Sequence, residues 1–266
     1  MKTYEITDIE RREAIGMLLY YEREKTFIAE LKDDLDEWTA PLLFAGLVKK
    51  NIYTVPRDLT LAWVRERLIP PGRQNIDAIL SRHHLREYDE MKMLELSEGK
   101  CSQDPLRIKK TDTLPDYVLR RMKHNLTDVT VCDNGRLLCF FNDGSVRLFD
   151  LRANAGMNDD IAKILSNSEL LLSGKVGTGG YFVTFNDSID IPAALLYDHS
   201  AQLPLTMGDF LCFVRNNIRD TAETCRILGC TRQNLAYMQD KGQLNSVKSD
   251  VKGNLFLKGD VMRNMW

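Results

Sequence analysis

Residues 221–242, TAETCRILGCTRQNLAYMQDKG, hold two short stretches with apolar residues at helical spacing, separated by one glycine. Taking Thr221 as the N-cap of the first helix, Cys225 supplies a small residue where two helices can cross closely. Leu228 is the apolar residue before the turn, and Gly229 stands where the chain needs a positive φ. Beyond the turn, Cys230 is expected to be small and buried, and Thr231 caps a second helix whose Leu235 and Met238 face back onto the first. Lys241-Gly242 closes that helix, with a cation in the last turn and glycine just past the end.

A helix-turn-helix built this way turns Thr231, Arg232, Gln233, Ala236 and Tyr237 outward near the N-terminal end of its second helix. Arg and Gln are the side chains able to make paired hydrogen bonds to guanine or adenine edges. Arg226, Lys241 and Lys248 stand better as phosphate contacts, which position a protein on a duplex without reading it. Further on, Leu244–Lys248, a turn at Asp250–Gly253 and Leu255–Leu257 predict a small β-wing, and Gly259-Asp260 caps a last short helix. Over about forty residues, TAETCRILGCTRQNLAYMQDKGQLNSVKSDVKGNLFLKGDV resembles the excisionase and MerR-like winged helix-turn-helix family. The resemblance implies binding to double-stranded DNA. Cys225 stands where alanine is common in that family, and the wing has few arginines.

The charge distribution points the same way. Residues 208–266 carry nine Lys/Arg against six Asp/Glu, a balance of +3, so the net charge of −2 leaves −5 for residues 1–207. No stretch approaches the run of about eighteen apolar residues needed to span a membrane, and Met1–Arg12 is polar rather than leader-like. A cytoplasmic protein is expected. The six cysteines, Cys101, Cys132, Cys139, Cys212, Cys225 and Cys230, form no C-x-x-C pair and read as free buried thiols.

At 266 residues the chain can hold two or three domains. Periodic patterning lapses near Pro105–Pro115 and again near Pro204–Gly208, which divides it into segments 1–113, 114–203 and 204–266. In the first, Ala14–Leu31 has two apolar runs around Glu22-Arg23-Glu24-Lys25 and predicts a hairpin, followed by helices at Leu59–Leu68, Asn75–Leu80 and Tyr88–Ser97. In the second, Val129–Val131, Leu137–Phe141 and Val146–Leu151 are strand-like and are joined by Asn134-Gly135 and Asp143-Gly144, strong hairpin turns. Asp159–Leu165 then reads as a helix, and Tyr181–Phe185 and Ile189–Ile191 as strands. The expected fold class is α+β and multidomain, with a β-hairpin and helical domain, a small antiparallel-sheet domain and a winged helix-turn-helix.

The middle segment, through LLCFFNDGSVRLFDL and GYFVTFNDSIDIPAALLY, resembles a small bacterial domain family of unknown function that often precedes a helix-turn-helix. The opening hairpin, PPGRQNIDAI (Pro70–Ile79) and YDEMKMLELSEGKCSQDPLRI resemble the N-terminal subdomain of HipA-type toxin kinases. That likeness implies a link to a toxin–antitoxin module, with a toxin kinase-like protein as partner. No kinase core follows, since the glycine-rich loop, His-Arg-Asp and Asp-Phe-Gly signatures are all missing.

Catalytic chemistry finds little support. The run Gly174–Gly180 leads into the strand-like Tyr181–Phe185, whereas a phosphate cradle must run into a helix N-terminus. His83, His84, His124 and His199 lack ligand partners at metal spacing and read as surface or helix-end residues. Asp33, Asp34, Asp36 and Glu37, like Asp159-Asp160, lack calcium-loop spacing and read as solvated charge. Trp38, Trp63 and Trp266 read as packing anchors. No catalytic residue, cofactor or metal is expected, and the chain is expected not to be an enzyme. The expectation is a sequence-specific DNA-binding regulator acting as a homodimer on half-sites about 34 Å apart. The alternatives are a protein-interaction or antitoxin-like module that does not bind DNA, and an enzyme using His83 or His124.

Overall fold

The computed structural model describes residues 1–132, 134–205, 207–244 and 246, which form helices and three antiparallel sheets in an α+β arrangement. The chain divides into two compact units, Met1–Cys212 and Phe213–Trp266. Segments 1–113 and 114–203 thus belong to one unit, and the division follows Cys212.

The first unit begins with β1 (Lys2–Asp8), β2 (Glu13–Tyr21) and β3 (Thr26–Leu31), a meander whose second hairpin is the one the apolar runs predicted. After the short α1 (Ala45–Val48) come β4 (Thr54–Val55), α2 (Arg57–Arg65), α3 (Ile76–Arg82), α4 (Glu90–Ser97) and β5 (Leu106–Thr111). The sheet order is β4-β3-β2-β1-β5. Six successive residues of β2, Ile15–Tyr20, are buried because both faces of this sheet are covered. Leu18 and Tyr20 join Trp63 and Val64 of α2 and Met91 and Leu94 of α4 in one cluster. Met17 and Leu19 turn the other way, toward Val118, Tyr181 and Phe182.

Those last three residues come from the second half of the unit. There, α5 (Asp116–Met122) leads into β6 (Leu126–Cys132), β7 (Arg136–Phe141) and β8 (Val146–Asp150), with turns at Asn134-Gly135 and Asp143-Gly144. Next come α6 (Asp159–Ser166), α7 (Ser168–Leu172), β9 (Lys175–Val176), β10 (Phe182–Phe185), β11 (Ile189–Pro192), α8 (Ala193–His199) and β12 (Ala201–Gln202). They form sheets ordered β12-β8-β7-β6 and β11-β10-β9 around a shared core that includes Phe149, Ile161, Phe185 and Leu196.

The glycine-rich run is a packing seam. Gly179 and Gly180 both have positive φ, and a Cβ there would lie 2.3 Å from the Tyr21 hydroxyl and 2.1 Å from the Leu126 carbonyl oxygen respectively. Only glycine lets this turn press against β2 on one side and β6 on the other.

Two arginines bind the halves further. Arg57 at the start of α2 pairs with Asp190 of β11 at 2.6 Å and lies over the Phe182 ring. Arg121 of α5 reaches the fully buried Glu30 of β3, as well as Asp33 and the Leu31 carbonyl oxygen, with its plane near the rings of Tyr53 and Tyr117. Thr54 donates a second hydrogen bond to Glu30 at 2.9 Å. Burial pushes the Glu30 carboxyl up from its ordinary range, against the pull of Arg121. Burial and the Glu30 charge together push the Tyr21 phenol up to about 12.

Several expectations are corrected. Trp63 is the buried anchor proposed for it, but Trp38 is 81% exposed. It sits in a loop shaped by Asp36, whose carboxylate takes the backbone N–H groups of Trp38 and Thr39. The neighbouring acids are paired rather than simply solvated: Asp33 with Arg120 and Arg121, Asp34 with Lys32, Glu37 with Lys49. Trp266 lies outside the described residues. Among the described residues, no helix is long and apolar enough to cross a membrane.

Removing one member of a buried ion pair costs about 3–5 kcal/mol, whereas replacing both by apolar residues of similar size is close to neutral. Arg121→Met should therefore lose about that much stability in urea denaturation, and Glu30→Met with Arg121→Met should recover most of it. Equal losses in the single and double variants would contradict the pairing.

Candidate nucleic-acid interface

α9 (Met207–Asn217) begins in the first unit and continues into the second, which also contains α10 (Thr221–Leu228) and α11 (Arg232–Asp240). The N-cap of α10 is Asp220, one residue earlier than expected, and Thr221 is the first helical residue. The Asp220 carboxylate accepts the Glu223 N–H at 2.8 Å, while the Glu223 carboxylate accepts the Asp220 N–H at 3.3 Å. This reciprocal box satisfies two donors that a helix start would leave bare. Its Asp-x-x-Glu signature stood in the sequence and marks the true boundary.

Gly229 ends α10 with φ 61° and ψ 31°, the left-handed conformation, and Cys230 donates its N–H to the Cys225 carbonyl oxygen at 3.1 Å. A Cβ at Gly229 would meet open space, so the demand for glycine is purely one of backbone conformation. Cys230 is half-buried rather than buried. Thr231 then caps α11 by accepting the Asn234 N–H at 3.2 Å.

Along α11, Leu235 is buried and Met238 half-buried, while Arg232, Gln233, Ala236 and Tyr237 are exposed, as is Thr231 before them. At 100° per residue the exposed four span one side of the helix and Leu235 and Met238 the opposite side. Arg226, in the last turn of α10, is exposed. So is Lys241, whose ammonium stands 5.6 Å from the centre of the Tyr237 ring, one turn back. That contact joins a candidate phosphate-binding cation to the face holding Arg232 and Gln233. Lys248 and the rest of the expected wing, apart from Leu244 and Ser246, lie outside the described residues.

Two further exposed cations, Arg215 on α9 and Arg219 before α10, belong to the same unit, and helix-turn-helix spacing alone does not single them out. Their signal was plain composition: residues 213–246 hold five Lys/Arg and three Asp/Glu, a balance of +2. Elsewhere, His83 is the C-cap of α3 and His84 follows it, His199 ends α8, and His124 stacks on Tyr197 with ring centres 3.8 Å apart. Arg147 covers Tyr197 at 3.9 Å, and the Tyr197 hydroxyl donates to Asp143. Among the described residues, no group of three or more His, Cys, Asp or Glu side chains gathers to hold a metal.

Asp220→Ala and Gly229→Ala should each destabilise the helix pair by about 1 kcal/mol, through a lost cap and a strained turn respectively. Amide hydrogen exchange should quicken across 221–240 and stay unchanged in β2 and β3; unchanged exchange in 221–240 would count against these roles. No family model matches this chain, and neither does any curated protein or solved structure, so the likenesses to winged helix-turn-helix, toxin-kinase and middle-domain families rest on the residues quoted for them.

Proposed function

We propose that this chain is a sequence-specific DNA-binding protein, a transcriptional regulator that lays α11 in the major groove. The observation carrying this reading is the exposed face of Arg232, Gln233, Ala236 and Tyr237 opposite the buried Leu235, on a helix whose start is fixed by a glycine turn and a threonine cap. Nine residues make a rod of about 14 Å, long enough to place its first two turns against base edges in a groove about 12 Å wide. Arg232 and Gln233 read bases, Ala236 and Tyr237 contact base edges or sugar, and Arg226, Lys241 and Lys248 hold phosphates.

A single helix pair contacts little DNA, so the protein acts as a homodimer on half-sites about one helical turn apart. The first unit supplies the dimer contact or holds a partner protein. In line with the likeness of its opening segment, a toxin kinase-like protein is that partner, and the chain belongs to a toxin–antitoxin module in the cytoplasm. No catalytic step is assigned to it.

One observation favours the second reading, a protein-interaction module. Ile227 of α10 is 69% exposed on the same unit, an apolar side chain that phosphate contact does not use.

Fragments selected from random DNA provide the test. Arg232→Ala should lower affinity for the selected site by roughly 1–3 kcal/mol and flatten base preference, whereas Lys241→Ala should weaken every sequence alike and reduce the salt slope by about one. If neither variant changes retention on any DNA while Ile227→Asp abolishes partner capture, the interaction-module reading replaces this one. Sedimentation of the protein with its selected site should show two chains per duplex; one chain per duplex would remove the dimer.

A further inference from the structure

We propose that Cys132 and Cys212 are a reversible thiol–disulfide site that ties the first half of α9 to the end of β6. Of the six cysteines, these two bring their sulfurs to 3.8 Å across a sequence separation of 80 residues. A disulfide needs sulfurs at about 2.05 Å, so bonding requires a closure of less than about 2 Å, the scale of a side-chain rotation. Cys212 is the last residue of the first unit, and the helix that carries it runs on to Asn217 in the second. The bond would therefore sit at the base of the chain segment leading to the helix pair.

The two thiols differ in a way that sets the order of events. Cys132 is buried, and desolvation with the nearby Cys212 pushes its thiol up, which makes it the slower of the two to meet an oxidant from solvent. Cys212 is half-buried and meets the oxidant first. With a hydroperoxide as oxidant, the Cys212 thiolate attacks the peroxide oxygen, the O–O bond breaks, and the departing oxygen leaves as water (or the alcohol) after taking up a proton. The resulting sulfenic acid is attacked at its sulfur by Cys132, the S–O bond breaks, and the hydroxyl leaves as a second water with the Cys132 proton. Two thiols and one hydrogen peroxide give one disulfide and two waters. A small dithiol reverses the bond by exchange, attacking at the more accessible Cys212 sulfur.

Tying α9 to β6 restricts the start of the helix that precedes the helix pair, so oxidation should change DNA retention; this last step rests on the DNA-binding reading above. The full chain, treated with one equivalent of hydrogen peroxide, should lose two hydrogen masses and yield a Cys132–Cys212 cross-linked peptide, and dithiothreitol should restore the starting mass. In Cys132→Ser the sulfenic acid at Cys212 should be trapped by dimedone, and in Cys212→Ser no cross-link to Cys132 should form. A cross-link between other cysteines, or both thiols still open to alkylation after unfolding, would overturn the proposal, and the unsubstituted protein gives that answer whether or not the variants fold. Retention of the selected DNA by the oxidised and reduced protein separates the two ideas. A disulfide with no DNA binding in either state removes the regulator reading and leaves the thiol site standing, whereas DNA binding without the disulfide removes only the thiol site.

Discussion

Glu30 lies on β3 with its side chain closed off from solvent, and the guanidinium of Arg121 reaches it from 91 residues further along the chain. A buried carboxylate is tolerable only with a cation and hydrogen bonds in place, so this pair commits α5 to one position against the first sheet. The same contact surface carries Met17, Leu19 and Ile28 from the sheet and Val118, Tyr181 and Phe182 from the second half, with Gly179 and Gly180 allowing the close approach. Apolar burial supplies the drive, and the ion pair with its surrounding phenols sets the register.

The second unit depends on a different kind of constraint. α10 and α11 are eight and nine residues long, too short to hold without help, and what defines them is local: a reciprocal box at Asp220 and Glu223, a left-handed Gly229, a threonine cap. Spending so few residues on packing leaves one side of α11 open. The proposed function uses that side.

Much of the local structure was legible. The hairpin of β2 and β3, the meander turned by Asn134-Gly135 and Asp143-Gly144, the helix at 159–166 and the glycine turn at 229 all follow from residues adjacent in sequence. The strands β1 and β5 were missed although Tyr4, Ile6 and Asp8 alternate with less buried neighbours, because polar residues such as Thr3, Glu5 and Thr7 mask the pattern in a strand lying between two others. α9 was missed beside the Pro204 break, and with it the meeting of Cys212 and Cys132. The exposure of Arg232 and Gln233 was legible too, since helix spacing alone assigns them to the side away from the buried Leu235.

By itself, then, the sequence determined the α+β character, the turns and caps, and the pair of short helices near its end, because a backbone conformation is set by residues within four or five positions. Only the tertiary structure decided that segments 1–113 and 114–203 share one body, that Trp38 faces solvent while Trp63 is buried, and that two cysteines 80 residues apart stand sulfur to sulfur. An apolar run such as Ile15–Tyr20 states that both its faces must be covered. Which distant segments cover them depends on the shape and charge of the whole assembled surface, and no local pattern encodes that.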